Sequence, residues 1–128
     1  MINYPTKQHK KNLTEMTNLQ STKPRSSKYK SEKTMIDGIL FDSKKEANRY
    51  CELKLLEQNH LIKNLKLQQP YVLIEKSKYG GVIKYIADFV YEENGKQIVE
   101  DTKGFRTRTY CLKKRMMMEK YGIEITET

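Results

Sequence analysis

Asp88, Asp101 and Lys103 have the types and spacing to hold a divalent cation against a phosphate group. Asp88 lies in the apolar stretch VIKYIADFVYE. Asp101 and Lys103 close the stretch KQIVEDTK. Side chains on a strand alternate between faces, so Asp101 and Lys103 should project together while Thr102 points away. If the two stretches pair as a tight hairpin, two carboxylates converge at one end of a sheet with an ammonium beside them. Hard cations such as Mg²⁺ prefer such oxygens, completing their shell with waters and a substrate phosphate oxygen. A metal held there stabilises charge developing on the phosphate and lowers the pKa of a bound water. Lys103 would orient that water or stabilise the transition state. A lone carboxylate between Ala87 and Phe89 is costly without a partner, which favours a functional reading of Asp88. Taken alone, Asp101 and Lys103 would be an ordinary same-face ion pair worth little. Glu100 should face away from Asp101, as a charge at the sheet periphery or a reserve candidate if the register slips by one.

The positioning elements follow from turn and cap signals. MIDGILF predicts a small hairpin turning at Asp37-Gly38. Ser43 and Glu46 have capping-box spacing, and the apolar side from Ala47 to Leu56 predicts a helix to about Asn59. NLKLQQPYVLIE reads as a strand that Pro70 restricts to an edge or bulge. Gly80-Gly81 separates it from the Asp88 strand, and Asn94-Gly95 is a type I′ hairpin signal. Thr107 to Tyr121 reads as a second helix closed by Gly122, followed by a strand at IEITE. The predicted order is helix, three-stranded meander, helix, strand, in an α/β fold.

Charge separates the chain into two parts. Residues 1–34 carry eight bases and two acids, have few apolar anchors, and cannot bury enough surface to offset their ordering entropy. They are expected to form a flexible basic arm ahead of a domain at 35–128, either gripping phosphates or serving as a solubilising tail. The net charge of +9 points to a polyanion, whether DNA, RNA or acidic membrane. A second basic run follows the proposed site. Arg106, Arg108, Lys113 and Lys114 would line the path of a nucleic-acid backbone. Lys114 falls among Tyr110, Met117, Met118 and Tyr121 on a helical wheel, either reaching toward the site or snorkelling to solvent. Met116 to Met118 should pack on the sheet. The tyrosines are mostly expected on sheet faces, and His60 is expected to cap helix carbonyls. Cys51 and Cys111 lack zinc-site spacing and are expected to be buried thiols. The sequence has no membrane-span-length apolar run and no signal-peptide centre, which predicts a soluble, cytoplasmic protein.

Beyond these readings, an aspartate on one strand, a turn, then acid-x-Lys on the next, with a glutamate-bearing helix before and a basic helix after, resembles the PD-(D/E)XK nuclease superfamily. FDSKKEANRYCELKLLE, YIADFVYEENGKQIVEDTKG and KKRMMMEKYGIEITE are similar to a small phage-encoded, Holliday junction resolvase-like branch. The resemblance covers roughly residues 28–127, with Ala87 where the motif's proline often stands. It implies a restriction-endonuclease-like core with a mixed sheet flanked by helices. It also implies Mg²⁺- or Mn²⁺-dependent cleavage of DNA, with branched recombination or replication intermediates as preferred substrate and the host cytoplasm as the setting. Asp88, Asp101 and a backbone carbonyl near Thr102 would hold the metal. Lys103 would assist the hydrolytic water, and Glu46 would act through a water or second metal position if it is not only a helix cap. A homodimer would suit symmetric cutting of a junction. Two other readings stand beside this one: a noncatalytic nucleic-acid-binding protein on the same fold, and an interaction protein that binds a host factor.

Overall fold

The computed structural model describes residues 32–128, so most of the proposed arm lies outside the described residues. Within them, Asp37 (φ 53°) and Gly38 (φ 75°) turn the hairpin of β1 (Thr34–Ile36) and β2 (Ile39–Phe41). Helix α1 (Lys44–Gln58) starts where the Ser43 hydroxyl accepts the Glu46 N–H at 3.1 Å. A four-stranded sheet follows, in the order β3 (Lys63–Ile74), β4 (Ile83–Glu93), β5 (Lys96–Asp101), β6 (Thr126–Glu127). Asn94 (φ 51°) and Gly95 (φ 75°) supply the left-handed pair that joins β4 to β5. Helix α2 (Arg108–Tyr121) is capped by the Thr107 hydroxyl and ends at Gly122 (φ 66°). The first three strands run antiparallel and β6 runs parallel to β5, giving a mixed sheet in an α/β arrangement. No helix among the described residues is long and apolar enough to cross a membrane.

Two hydrophobic clusters place the helices on opposite faces of the sheet. Ile98 packs with Ala47, Tyr50 and Leu53 of α1, whereas its neighbour Val99 packs with Tyr110 and Met117 of α2. On β4 the alternation breaks. Tyr85 and Ala87 belong with α2, Phe89 and Tyr91 with α1, although all four have the same parity. The break falls at Asp88. Leu67 pairs with Phe89 and Gln69 with Ala87, which sets Gln68 opposite Asp88, and Gln68 has a left-handed φ of 51°. The strand pair therefore turns over at the residue whose carboxylate is proposed to act.

Several expectations are corrected. Cys51 and Cys111 are exposed, because the inward positions of their helices are filled by Tyr50, Leu53, Tyr110 and Met117. Glu100 is fully buried rather than peripheral. It faces α1, where Arg49 donates to both its carboxylate oxygens and the Tyr91 hydroxyl donates at 2.7 Å. The Asn59 side chain, not the His60 imidazole, donates to the Leu55 carbonyl at the end of α1. Of the three methionines only Met117 is fully buried, while Met118 is exposed. Only Thr126 and Glu127 of the final segment form a strand.

Candidate active site

Asp101 is the last residue of β5 and is 2% exposed. Its Oδ2 accepts the Tyr85 hydroxyl proton at 2.7 Å. Its Oδ1 lies 2.9 Å from Lys103 Nζ, but no donor is aligned on that oxygen as a hydrogen bond, so it is a buried acceptor with an ion-pair neighbour only. The expected same-side projection of Asp101 and Lys103 is therefore observed. Beyond Asp101 the backbone stays paired with Thr128. Thr128 N–H donates to the Asp101 carbonyl, and Lys103 N–H donates to the Thr128 carbonyl. The Lys103 carbonyl accepts from Lys45 Nζ at 3.0 Å, tying this segment to the start of α1.

Asp88 approaches from β4. Its Oδ2 accepts the Thr102 N–H at 2.9 Å and its Oδ1 accepts the Gln68 side-chain amide at 3.3 Å. Burial, followed by the negative charge of Asp101, pushes the Asp88 carboxyl up to about 7. The Thr102 N–H, which favours the charged form, offsets part of this. The same Gln68 amide donates to Glu46 Oε1 at 3.2 Å. The Glu46 carboxyl is also raised, mainly by burial and then by the charges of Asp42 and Asp101. Glu46 thus divides its work. Its backbone N–H serves the helix cap, and its carboxylate faces the two aspartates across Gln68.

Lys103 Nζ sits 4.1 Å from the Tyr110 ring centroid, a cation–π contact that fixes the ammonium beside Asp101. The Tyr110 hydroxyl in turn donates to Glu127 at 3.0 Å. Glu127 gathers two of the expected backbone-binding cations, accepting from Lys114 Nζ at 2.6 Å and pairing with the Arg106 guanidinium. The Lys114 hydrogen bond is the main cause of a lowered Glu127 carboxyl. Lys114 therefore reaches β6, neither the aspartates nor open solvent. Arg108 is exposed at the start of α2, and Lys113 lines a cleft of about 310 Å³ that also borders Asp101 and Lys103.

The donor set fits a hard cation. Two interacting carboxylates, one with a buried oxygen lacking a hydrogen bond, resemble the oxygen-only shells that Mg²⁺ and Mn²⁺ occupy with several waters. Among the described residues no three His, Cys, Asp or Glu side chains close into a metal cage. A site of one or two carboxylates, a carbonyl and waters does not require one. Gln68, Tyr85, Tyr110 and Glu127 also belong to this constellation, and no spacing signal in the sequence marks them. They reach it through cross-strand pairing or through helix-to-strand contacts.

A family model described as a protein of unknown function (DUF1064) matches residues 26–127. No curated protein and no solved structure matches the chain.

Proposed function

The chain belongs to the DUF1064 family, and for it we propose a metal-dependent endodeoxyribonuclease that hydrolyses phosphodiester bonds, with branched DNA intermediates as preferred substrate and a phage as the setting. One observation carries the reading: the buried Asp101 carboxylate keeps one oxygen without a hydrogen bond, beside Asp88 on one side and the Lys103 ammonium on the other. Structural ion pairs saturate their oxygens. Here the second oxygen has only the Lys103 ammonium at 2.9 Å and no aligned donor, where negative charge is concentrated. A carboxyl perturbed by burial and a named charge partner supports a functional reading when, as here, it stands beside a second buried carboxylate at a cleft.

Asp88, Asp101 and the Thr102 carbonyl would hold Mg²⁺ or Mn²⁺, which when bound supplies positive charge to the phosphate and acidifies a water. The chain's own groups prepare the rest. The Tyr85 hydroxyl fixes Asp101 by one oxygen, leaving the other directed at Lys103. The Gln68 amide holds Asp88 and Glu46 in one arrangement. Lys103, steadied by the Tyr110 ring, presents an ammonium to a phosphate oxygen or to the attacking water. Glu46, with its raised carboxyl, would take up a proton from that water. A homodimer would let two such sites cut a junction symmetrically.

The test is a panel of labelled duplex, flap, single-stranded and four-way junction DNAs incubated with Mg²⁺, Mn²⁺ or EDTA. Metal-dependent products that disappear in Asp101→Ala and Lys103→Ala are expected, with four-way junctions cut fastest. Absence of metal-dependent product from every substrate would overturn the enzyme reading. Binding retained in that case would instead identify a noncatalytic nucleic-acid-binding protein.

A further inference from the structure

The cations around the carboxylates divide into engaged and free. Lys103 pairs with Asp101, Lys45 donates to the Lys103 carbonyl, and Arg106 and Lys114 are held by Glu127. Two others line the cleft of about 310 Å³ that opens beside Asp101: Lys84 from β4 and Lys113 from α2. Neither has an acid partner among the described residues. Both project from elements whose backbones are fixed by sheet pairing or by helix packing on Tyr110 and Met117. Ile86, about half exposed, Tyr85 and Tyr110, and the start of α2 at Thr107 and Thr109 line it as well. That start adds the positive end of a 14-residue helix to the same space. A concave space at the low end of ligand-pocket size, with two unneutralised ammonium groups on its walls, suits a phosphodiester.

We infer that Lys84 and Lys113 form a clamp for the DNA backbone phosphates adjoining the scissile one, seated in the cleft between β4 and α2. This deepens the nuclease reading and rests on it for the scissile position. The phosphate grip itself needs no cleavage. Lys84 lies outside both basic runs, whereas Lys113 belongs to the run in which sequence charge also directs attention to Arg106, Arg108 and Lys114. In the structure Arg106 and Lys114 are already committed to Glu127. The clamp instead joins one strand and one helix that are distant in the chain but meet beside Asp101.

The experiment measures binding of a short labelled single-stranded DNA, and an RNA of the same sequence, by fluorescence anisotropy in EDTA across a salt series. Wild type is compared with Lys84→Ala/Lys113→Ala, with the charge reversal Lys84→Glu/Lys113→Glu, and with a charge-matched control, Lys63→Ala/Lys96→Ala. The control lysines sit at the far end of β4, opposite Glu92 and Glu93. Each phosphate neutralised on a single strand contributes about 0.7 to the slope of log affinity against log salt. The clamp variant is expected to lose about 0.7 to 1.4 of slope on DNA, which is roughly 5- to 25-fold weaker binding at 0.1 M salt. The reversal should lose more and the control should match wild type. Equal losses in clamp and control pairs, no loss in the clamp pair, or a loss on RNA alone would overturn the proposal. A slope loss in a protein that cleaves nothing would keep the clamp and reject the nuclease. Cleavage with an unchanged slope would do the reverse.

Discussion

Asp88→Asn should make this protein more stable at neutral pH while abolishing the metal-dependent cleavage proposed for it. Burial and the adjacent Asp101 charge lift the Asp88 carboxyl from an ordinary 3.8 to about 7. At about 1.4 kcal/mol per pH unit, that corresponds to an upper bound of about 4 kcal/mol of disfavoured ionisation in the folded state. The sign follows from proton linkage. Between about pH 4 and pH 7 the folded chain binds a proton at Asp88 that the unfolded chain has released, so stability falls as pH rises through that window. Above it the full penalty is present. Asparagine removes the charge and keeps a carbonyl oxygen for the Thr102 N–H now bonded at 2.9 Å. Its amide, however, meets the Gln68 amide unfavourably unless Gln68 turns over, which takes back part of the gain. A net gain of roughly 1 to 3 kcal/mol at pH 8, shrinking toward pH 4.5, is expected. Urea denaturation of both proteins across pH 4.5 to 8 in EDTA reads it directly. Under the proposed metal binding, added Mg²⁺ should then stabilise wild type by mass action and leave the variant unchanged. An Asp88→Asn protein that is less stable than wild type at pH 8, or whose advantage does not grow with pH, would refute the account of strain at this carboxylate.

Other consequences are directly measurable. Under the proposed metal binding the ion competes with a proton on Asp88, so apparent Mg²⁺ affinity should fall up to tenfold per pH unit below about 7 and level off above, as a calorimetric titration series would record. Tyr85→Phe frees Asp101 Oδ2 from its hydroxyl donor and should weaken the proposed Mg²⁺ binding about 10-fold or more, with near-native far-UV circular dichroism. Arg49→Ala strands the fully buried Glu100 carboxylate with only the Tyr91 hydroxyl as partner. It should cost about 3 to 5 kcal/mol in denaturant unfolding, far more than an exposed ion pair would.

The parts of this molecule that local chemistry dictates were legible in its sequence. Ser43, Asn94-Gly95 and Gly122 each act within a few residues of their own position, and the elements begin and end where those residues require. Alternation likewise placed Lys103 beside Asp101. Alternation failed on β4, because the left-handed Gln68 and the turnover at Asp88 are properties of a strand pair, not of either strand. Glu100 was misjudged because its partner Arg49 is 51 residues away, and the aspect of α1 that meets the sheet becomes fixed only on packing. Cys51 and Cys111 were misplaced for a similar reason. A broad apolar side on a wheel does not say which of its members the sheet will cover. The commitment of Arg106 and Lys114 to Glu127 depends on β6 returning beside β5, which no charge count contains.

The borders of the sheet bear on how two copies could meet. On β3, Pro70 lacks an amide proton, and irregular register at Lys63–Lys66 and Val72–Ile74 interrupts the row of outward hydrogen-bonding groups. The opposite border is only two residues of β6. Among the described residues neither rim offers a long straight template for a neighbouring chain, a feature that disfavours edge-to-edge aggregation. A twofold assembly of the described residues is therefore expected to use side chains meeting across faces or helices, and a continuous intermolecular sheet is disfavoured as its architecture.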